Sequence, residues 1–70
     1  MANSTIDILR RNIKKYRLAS GLTQEKLSEM TGISTDYLSE IERGKRTPSI
    51  KRFVIIADAL GVEADKFWKE

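Results

Sequence analysis

The side chains with the most chemical capacity lie within one short stretch, Ser34–Arg46, STDYLSEIERGKR. At about 100° per residue, Tyr37, Leu38 and Ile41 cluster on one side of a helix, while Thr35, Asp36, Ser39, Glu40 and Arg43 fall on the other. Hydroxyls donate and accept hydrogen bonds, carboxylates accept them and guanidinium groups donate. Such a set is suited to recognition rather than to making or breaking bonds. The major groove of duplex DNA is about 12 Å wide, admits one helix and presents a distinct donor and acceptor pattern at each base pair. Small hydroxyls at Thr35 and Ser39 allow close approach to base edges, and the basic loop carrying Lys45 and Arg46 follows directly.

Asp36 and Glu40 place two carboxylates, four residues apart, on a surface that would have to approach a polyanion. Three readings stand. They could accept hydrogen bonds from cytosine N4 and so read C·G pairs. They could be held locally by Arg43, three residues after Glu40. Alternatively, this flank could face a protein, with weak DNA binding or none.

Composition narrows the chemistry. The chain has 70 residues, 40% of them hydrophobic, with no cysteine or histidine. Disulfides, cysteine-histidine zinc sites, thiol nucleophiles and histidine acid-base devices are therefore excluded. Asp36/Glu40 is the only carboxylate pair near a functional face, and a chain this short offers little concavity for a substrate. No enzyme, cofactor, metal site or small-molecule ligand is expected. Thirteen Lys and Arg against ten Asp and Glu give a net charge of +3, a weak pointer to nucleic acid by itself. MANSTIDILRRN lacks the apolar run of a signal peptide, and nothing downstream approaches a membrane span. A single domain over residues 1–70, soluble and cytoplasmic, is the expectation.

The elements that must position this flank follow from apolar periodicity. Gly21, Gly32, Gly44 and Gly61 each close an apolar-periodic segment, and no segment alternates with period two. The chain reads as all-α, a compact bundle with helices over about 5–20, 24–31, 35–43, 49–60 and 64–69. Ser4, Thr23 and Ser34 are expected N-caps, and Thr47 or Ser49 caps the fourth helix beside Pro48. Ile6, Leu9, Ile13 and Tyr16 should face the core from the first helix, and Leu27 and Met30 from the second. Ile50, Phe53, Ile56, Ala57 and Leu60 do so from the fourth. Only the first few residues and the last one or two read as frayed.

The ordered set Ile13-x-x-Tyr16-Arg17, Gly21-Leu22-Thr23-Gln24-x-x-Leu27-Ser28, Gly32-Ile33-Ser34, Leu38-Ser39-x-Ile41-Glu42-x-Gly44, Pro48-Ser49-Ile50 and Ala57-x-Ala59-Leu60-Gly61-Val62 resembles the phage-repressor/Cro/Xre helix-turn-helix domain. The match spans roughly residues 6–68. The resemblance implies a five-helix bundle that docks on double-stranded DNA, commonly as a two-fold homodimer. It implies that Gln24 holds a phosphate and braces the reading helix, with Thr23 beside it on the same backbone stretch. Ser34, Thr35, Asp36, Ser39 and Glu40 then meet base edges or adjacent phosphates, and Arg43, Lys45 and Arg46 meet the backbone. Arg17 and Glu42 match a family pair that forms a largely buried ion bridge.

Ile55 lies about 160° from Phe53, on the otherwise polar side of the fourth helix, where family members more often carry a polar residue. With Val54 and a half-buried Trp68 it would form an apolar dimer seam. The leading expectation is a sequence-specific transcriptional regulator, a repressor or controller, on a roughly palindromic operator. The alternative is a protein-interaction module, such as an antitoxin-like subunit, built on the same bundle.

Overall fold

Residues 4–70 are described by the structure, a computed structural model. Each of the four α-helices begins where a hydroxyl can satisfy a backbone N–H that has no partner in the first turn. Ser4 accepts from the Asp7 amide ahead of α1 (Thr5–Ala19), and Thr23 from the Lys26 amide ahead of α2 (Gln24–Thr31). Ser34 accepts from Tyr37 ahead of α3 (Thr35–Glu42), and Ser49 from Arg52 ahead of α4 (Ile50–Leu60). The fifth predicted helix is instead a 3-10 turn, Ala64–Trp68, whose lead residue Glu63 makes no side-chain cap bond. Five residues are too few for α-helical cooperativity to develop. The fraying expected of the first three residues lies outside the described residues.

Three residues separate α2 from α3. Gly32 takes the left-handed conformation at φ 73° and its N–H closes α2 onto the Ser28 carbonyl at 2.8 Å. An L side chain pays for that geometry, so glycine suits the corner. Ile33 then turns inward and is buried, while the Thr31 hydroxyl accepts its N–H at 3.2 Å. Burying the middle residue of so short a connection fixes the angle between the two helices.

The core joins Leu9 and Ile13 of α1, Leu27 of α2, Leu38 and Ile41 of α3, and Phe53, Ile56, Ala57 and Leu60 of α4. Phe67 of the terminal turn is fully buried among them, with Tyr16 and Phe53 in edge-to-face contact at 5.1 and 5.3 Å. A ring buried this completely contributes about 1.5–3 kcal/mol. Asn12, which sequence periodicity alone did not single out, holds that turn in place. Its side-chain amide donates to the Phe67 and Lys69 carbonyls, both at 2.8 Å.

Three apolar residues depart from the expected core. Ile6 and Met30 are exposed, and Ile50 is 84% exposed. All three sit in the first or last turn of their helices, where no neighbouring element covers the apolar face. Ile50 follows the cap Ser49 directly, and Pro48, rather than Ile50, is the buried residue at that corner.

Arg17 of α1 and Glu42 at the end of α3 are both buried and meet through two hydrogen bonds, Nε to Oε2 at 2.7 Å and Nη2 to Oε1 at 3.0 Å. Arg17 also donates to the Leu22 carbonyl at 2.8 Å, and the Gln24 amide donates to Glu42 at 3.1 Å. Hydrogen bonding to Glu42, opposed by desolvation, raises the Arg17 guanidinium above its already high ordinary pKa. Removing one member of a buried pair strands the other, at a cost of about 3–5 kcal/mol. Arg17→Met is therefore expected to lower the melting temperature far more than Lys14→Met on the exposed side of α1, and equal thermal melts would refute this. Asn12→Ala should cost about 1–3 kcal/mol by leaving two carbonyls without their donor, and a melt unchanged from wild type would exclude the clamp.

Candidate nucleic-acid interface

The outer side of α3 is built by exclusion. Leu38, Ile41 and Glu42 are drawn inward, which leaves the remaining positions facing solvent. Ser34 and Asp36 are exposed and Thr35, Ser39 and Glu40 partly so; none of the five is buried. The Ser34 oxygen accepts the cap bond from Tyr37, yet its O–H remains a donor toward an external acceptor. The Thr23 hydroxyl, capping α2, has the same freedom.

Gln24 stands at the first position of α2 and is half-buried against the ion pair. Its Nε2 bridges to Glu42, so the residue that opens α2 is tied to the one that ends α3. This bond and the Arg17 bridge hold α3 from behind.

The basic residues beyond α3 are all exposed. Arg43 turns back on its own helix, its Nε donating to the Ser39 carbonyl at 3.4 Å. Gly44 has φ 78°, and a Cβ there would stand 2.9 Å from the Arg10 side chain, so α1 packs directly against the loop. The Lys45 amide returns to the Glu40 carbonyl at 2.8 Å. Arg46 then reaches back across the loop to Glu40, Nε to Oε1 at 2.7 Å. The carboxylate's ion-pair partner is thus Arg46 rather than the sequence-adjacent Arg43. The hydrogen bond from Arg46, reinforced by its charge and by those of Arg43 and Lys45, holds the Glu40 carboxyl below the ordinary carboxylate value. Glu40 is therefore ionised at neutral pH. Asp36 has no ion-pair partner among the described residues.

Two features were missed in the sequence. Tyr37, placed on the buried stripe, is half-buried, and the guanidinium groups of Arg46 and Arg52 lie 4.8 and 4.9 Å from its ring centre. Lys51 and Arg52, both exposed in the first turn of α4, extend the basic surface of the loop. The pair Lys51-Arg52, separated from the cap position Ser49 by Ile50 alone, was the available signal.

On the far side of α4, Ile55 is only half-exposed and packs on the core, at the groove between the α2–α3 corner and the start of α4. The exposed apolar residues of α4 are Ile50 and Val54, one turn apart; Trp68, also exposed, meets Phe53 edge-on at 5.4 Å. No helix among the described residues is long and apolar enough to cross a membrane.

Comparison with known proteins places this geometry. The helix-turn-helix family HTH_3 matches residues 13–67. The uncharacterized HTH-type transcriptional regulator y4dJ of Sinorhizobium fredii is 43% identical over 51 residues, 73% of this chain and 66% of that protein. Control protein C.SmaI of Serratia marcescens is 33% identical over 60 residues, 86% of this chain and 71% of its own length. Among solved structures, the restriction-modification controller protein C.Esp1396I, a tetramer in complex with its natural 35 base-pair operator, aligns with a TM-score of 0.83 at 33% identity. That alignment covers 94% of this chain and 87% of the controller. The match takes in the Gly32–Ile33 corner and α3 entire, and this chain belongs to the helix-turn-helix family HTH_3.

Proposed function

We propose that the protein is a sequence-specific DNA-binding transcriptional regulator that occupies its operator through α3 in the major groove. The observation that carries this reading is the two-sided α3: Glu42, Leu38 and Ile41 anchored inward, and Ser34, Thr35, Asp36, Ser39 and Glu40 available outward. Similarity to transcriptional regulators and to a controller solved on its operator supports it. Thr35, Ser39 and Asp36 act as base readers beside Ser34 at the helix start. Thr23, Gln24, Arg43 and Lys45 meet phosphates, which set register and most of the affinity. The action is occupancy, without catalysis or cofactor, in the cytoplasm, and each copy of the chain contributes one domain to it.

Two copies complete the site. Ile50, Val54 and Trp68 are exposed apolar residues flanking the buried stripe of α4, and a second copy of this chain covers them. Pairing there would set two α3 helices about 34 Å apart, one turn of duplex, on a roughly palindromic sequence.

Selection of bound duplexes from a random library is expected to return a two-fold motif. Affinity should fall with salt at a log-log slope of about −0.9 per phosphate neutralised. Thr35→Ala and Asp36→Ala should change base preference, while Gln24→Ala weakens selected and scrambled duplexes alike. Failure to bind any duplex at low salt would instead favour a protein-interaction module. Sedimentation should give a dimer whose affinity drops on Val54→Lys; a monomer at high micromolar concentration, with and without DNA, would refute the seam.

A further inference from the structure

Arg46 is held at two points. Its Nε bonds to Glu40 on the outward side of α3 at 2.7 Å, and its guanidinium carbon lies 4.8 Å from the centre of the Tyr37 ring. Neither Glu40 nor Arg46 is buried, so the pair sits where a duplex would arrive, within reach of water and of phosphate. Among the described ion pairs Arg46 is the carboxylate's one direct partner; Arg43, turned onto the Ser39 carbonyl, and Lys45, whose backbone returns to this turn, act on it only through their charge. The Tyr37 ring also carries Arg52 at 4.9 Å, so departure of Arg46 leaves the ring with a guanidinium still against it.

We propose that Glu40 masks Arg46, so that the loop arginine is released to the DNA backbone only where the duplex offers the carboxylate a donor in exchange. This inference rests on the DNA-binding reading given above. The reasoning is electrostatic. On an arbitrary duplex, moving Arg46 to a phosphate leaves an ionised carboxylate unpaired beside a polyanion, and the repulsion offsets the new contact. An exocyclic amino group at that register, cytosine N4 foremost, accepts the exchange by donating to Glu40. The arginine then adds its phosphate contact at little cost. Glu40 thus contributes discrimination chiefly by withholding affinity from wrong sequences, and it does so through Arg46. An exposed ion pair is weak enough to open on contact with DNA. It is also adjacent enough to the reading flank to respond to the base beneath it.

The test is a double-mutant cycle on binding, with wild type, Glu40→Gln, Arg46→Met and the double variant. Each is titrated by fluorescence anisotropy against a duplex selected from a random library and a scrambled duplex of equal length, across a salt series. On the scrambled duplex Glu40→Gln is expected to bind about three- to fivefold tighter than wild type, with a salt slope steeper by about 0.9. In the Arg46→Met background the same substitution should gain less than about twofold. On the selected duplex Glu40→Gln should gain nothing or lose affinity, so that the ratio of selected to scrambled binding falls. An equal gain with and without Arg46 would reduce Glu40 to a long-range charge and overturn the mask. No gain on scrambled DNA would overturn it as well. In both cases wild-type binding to the selected duplex leaves the DNA-binding reading standing. If none of the four proteins binds either duplex at low salt, that reading fails and the mask falls with it.

Discussion

The buried bridge between Arg17 and Glu42 is the constraint on which the rest of this molecule depends. A carboxylate at the end of α3 would ordinarily seek water. Here it is drawn inward by a guanidinium and by the Gln24 amide, and no buried side-chain nitrogen or oxygen among the described residues lacks a partner. Taking two charges out of water costs several kcal/mol each, and their attraction and hydrogen bonds roughly recover it. The bridge therefore contributes less to net stability than to orientation. With Glu42 fixed to α1 and to the first residue of α2, rotation of α3 about its own axis is opposed. Which side chains face outward is settled by the same contact.

The hydrophobic contacts work in the same direction. Ile33 pins the corner between α2 and α3, and Leu38 and Ile41 pin the inner side of α3. Phe67 draws the terminal turn under Phe53 and Tyr16, and Asn12 secures its carbonyls. Rigid support on the inside and hydrated polar side chains on the outside are what the proposed reading surface needs, because hydrogen bonds to base edges do not survive misplacement of a helix by a fraction of a base step.

Much of this is legible in the amino-acid sequence. The bounds of the four α-helices, their hydroxyl caps, the glycine corners and the inward Leu38 and Ile41 of α3 follow from local rules, because propensity, capping and periodicity agree there. What escaped the sequence depends on tertiary placement. Periodicity assigns Ile50, Met30 and Ile6 to an apolar side but says nothing of whether another element reaches that end of the helix. Asn12 shares a helical side with Leu9 and Tyr16 and could be flagged by position, yet its partners lie 55 and 57 residues away. Arg46 lies beyond a glycine, so helical spacing favoured Arg43 as the partner of Glu40, and only the path of the loop reverses that choice.

The division of α3 into an anchored and a free side has a consequence for descent with modification. Because Leu38, Ile41 and Glu42 carry the architecture, exchanges at Thr35, Asp36 and Ser39 scarcely perturb folding. On the proposed reading, a lineage bearing this scaffold can drift from one operator to another by single substitutions without passing through an unfolded intermediate. Glu40 is the exception, since it is wired to Arg46, and a change there alters the behaviour of two positions at once.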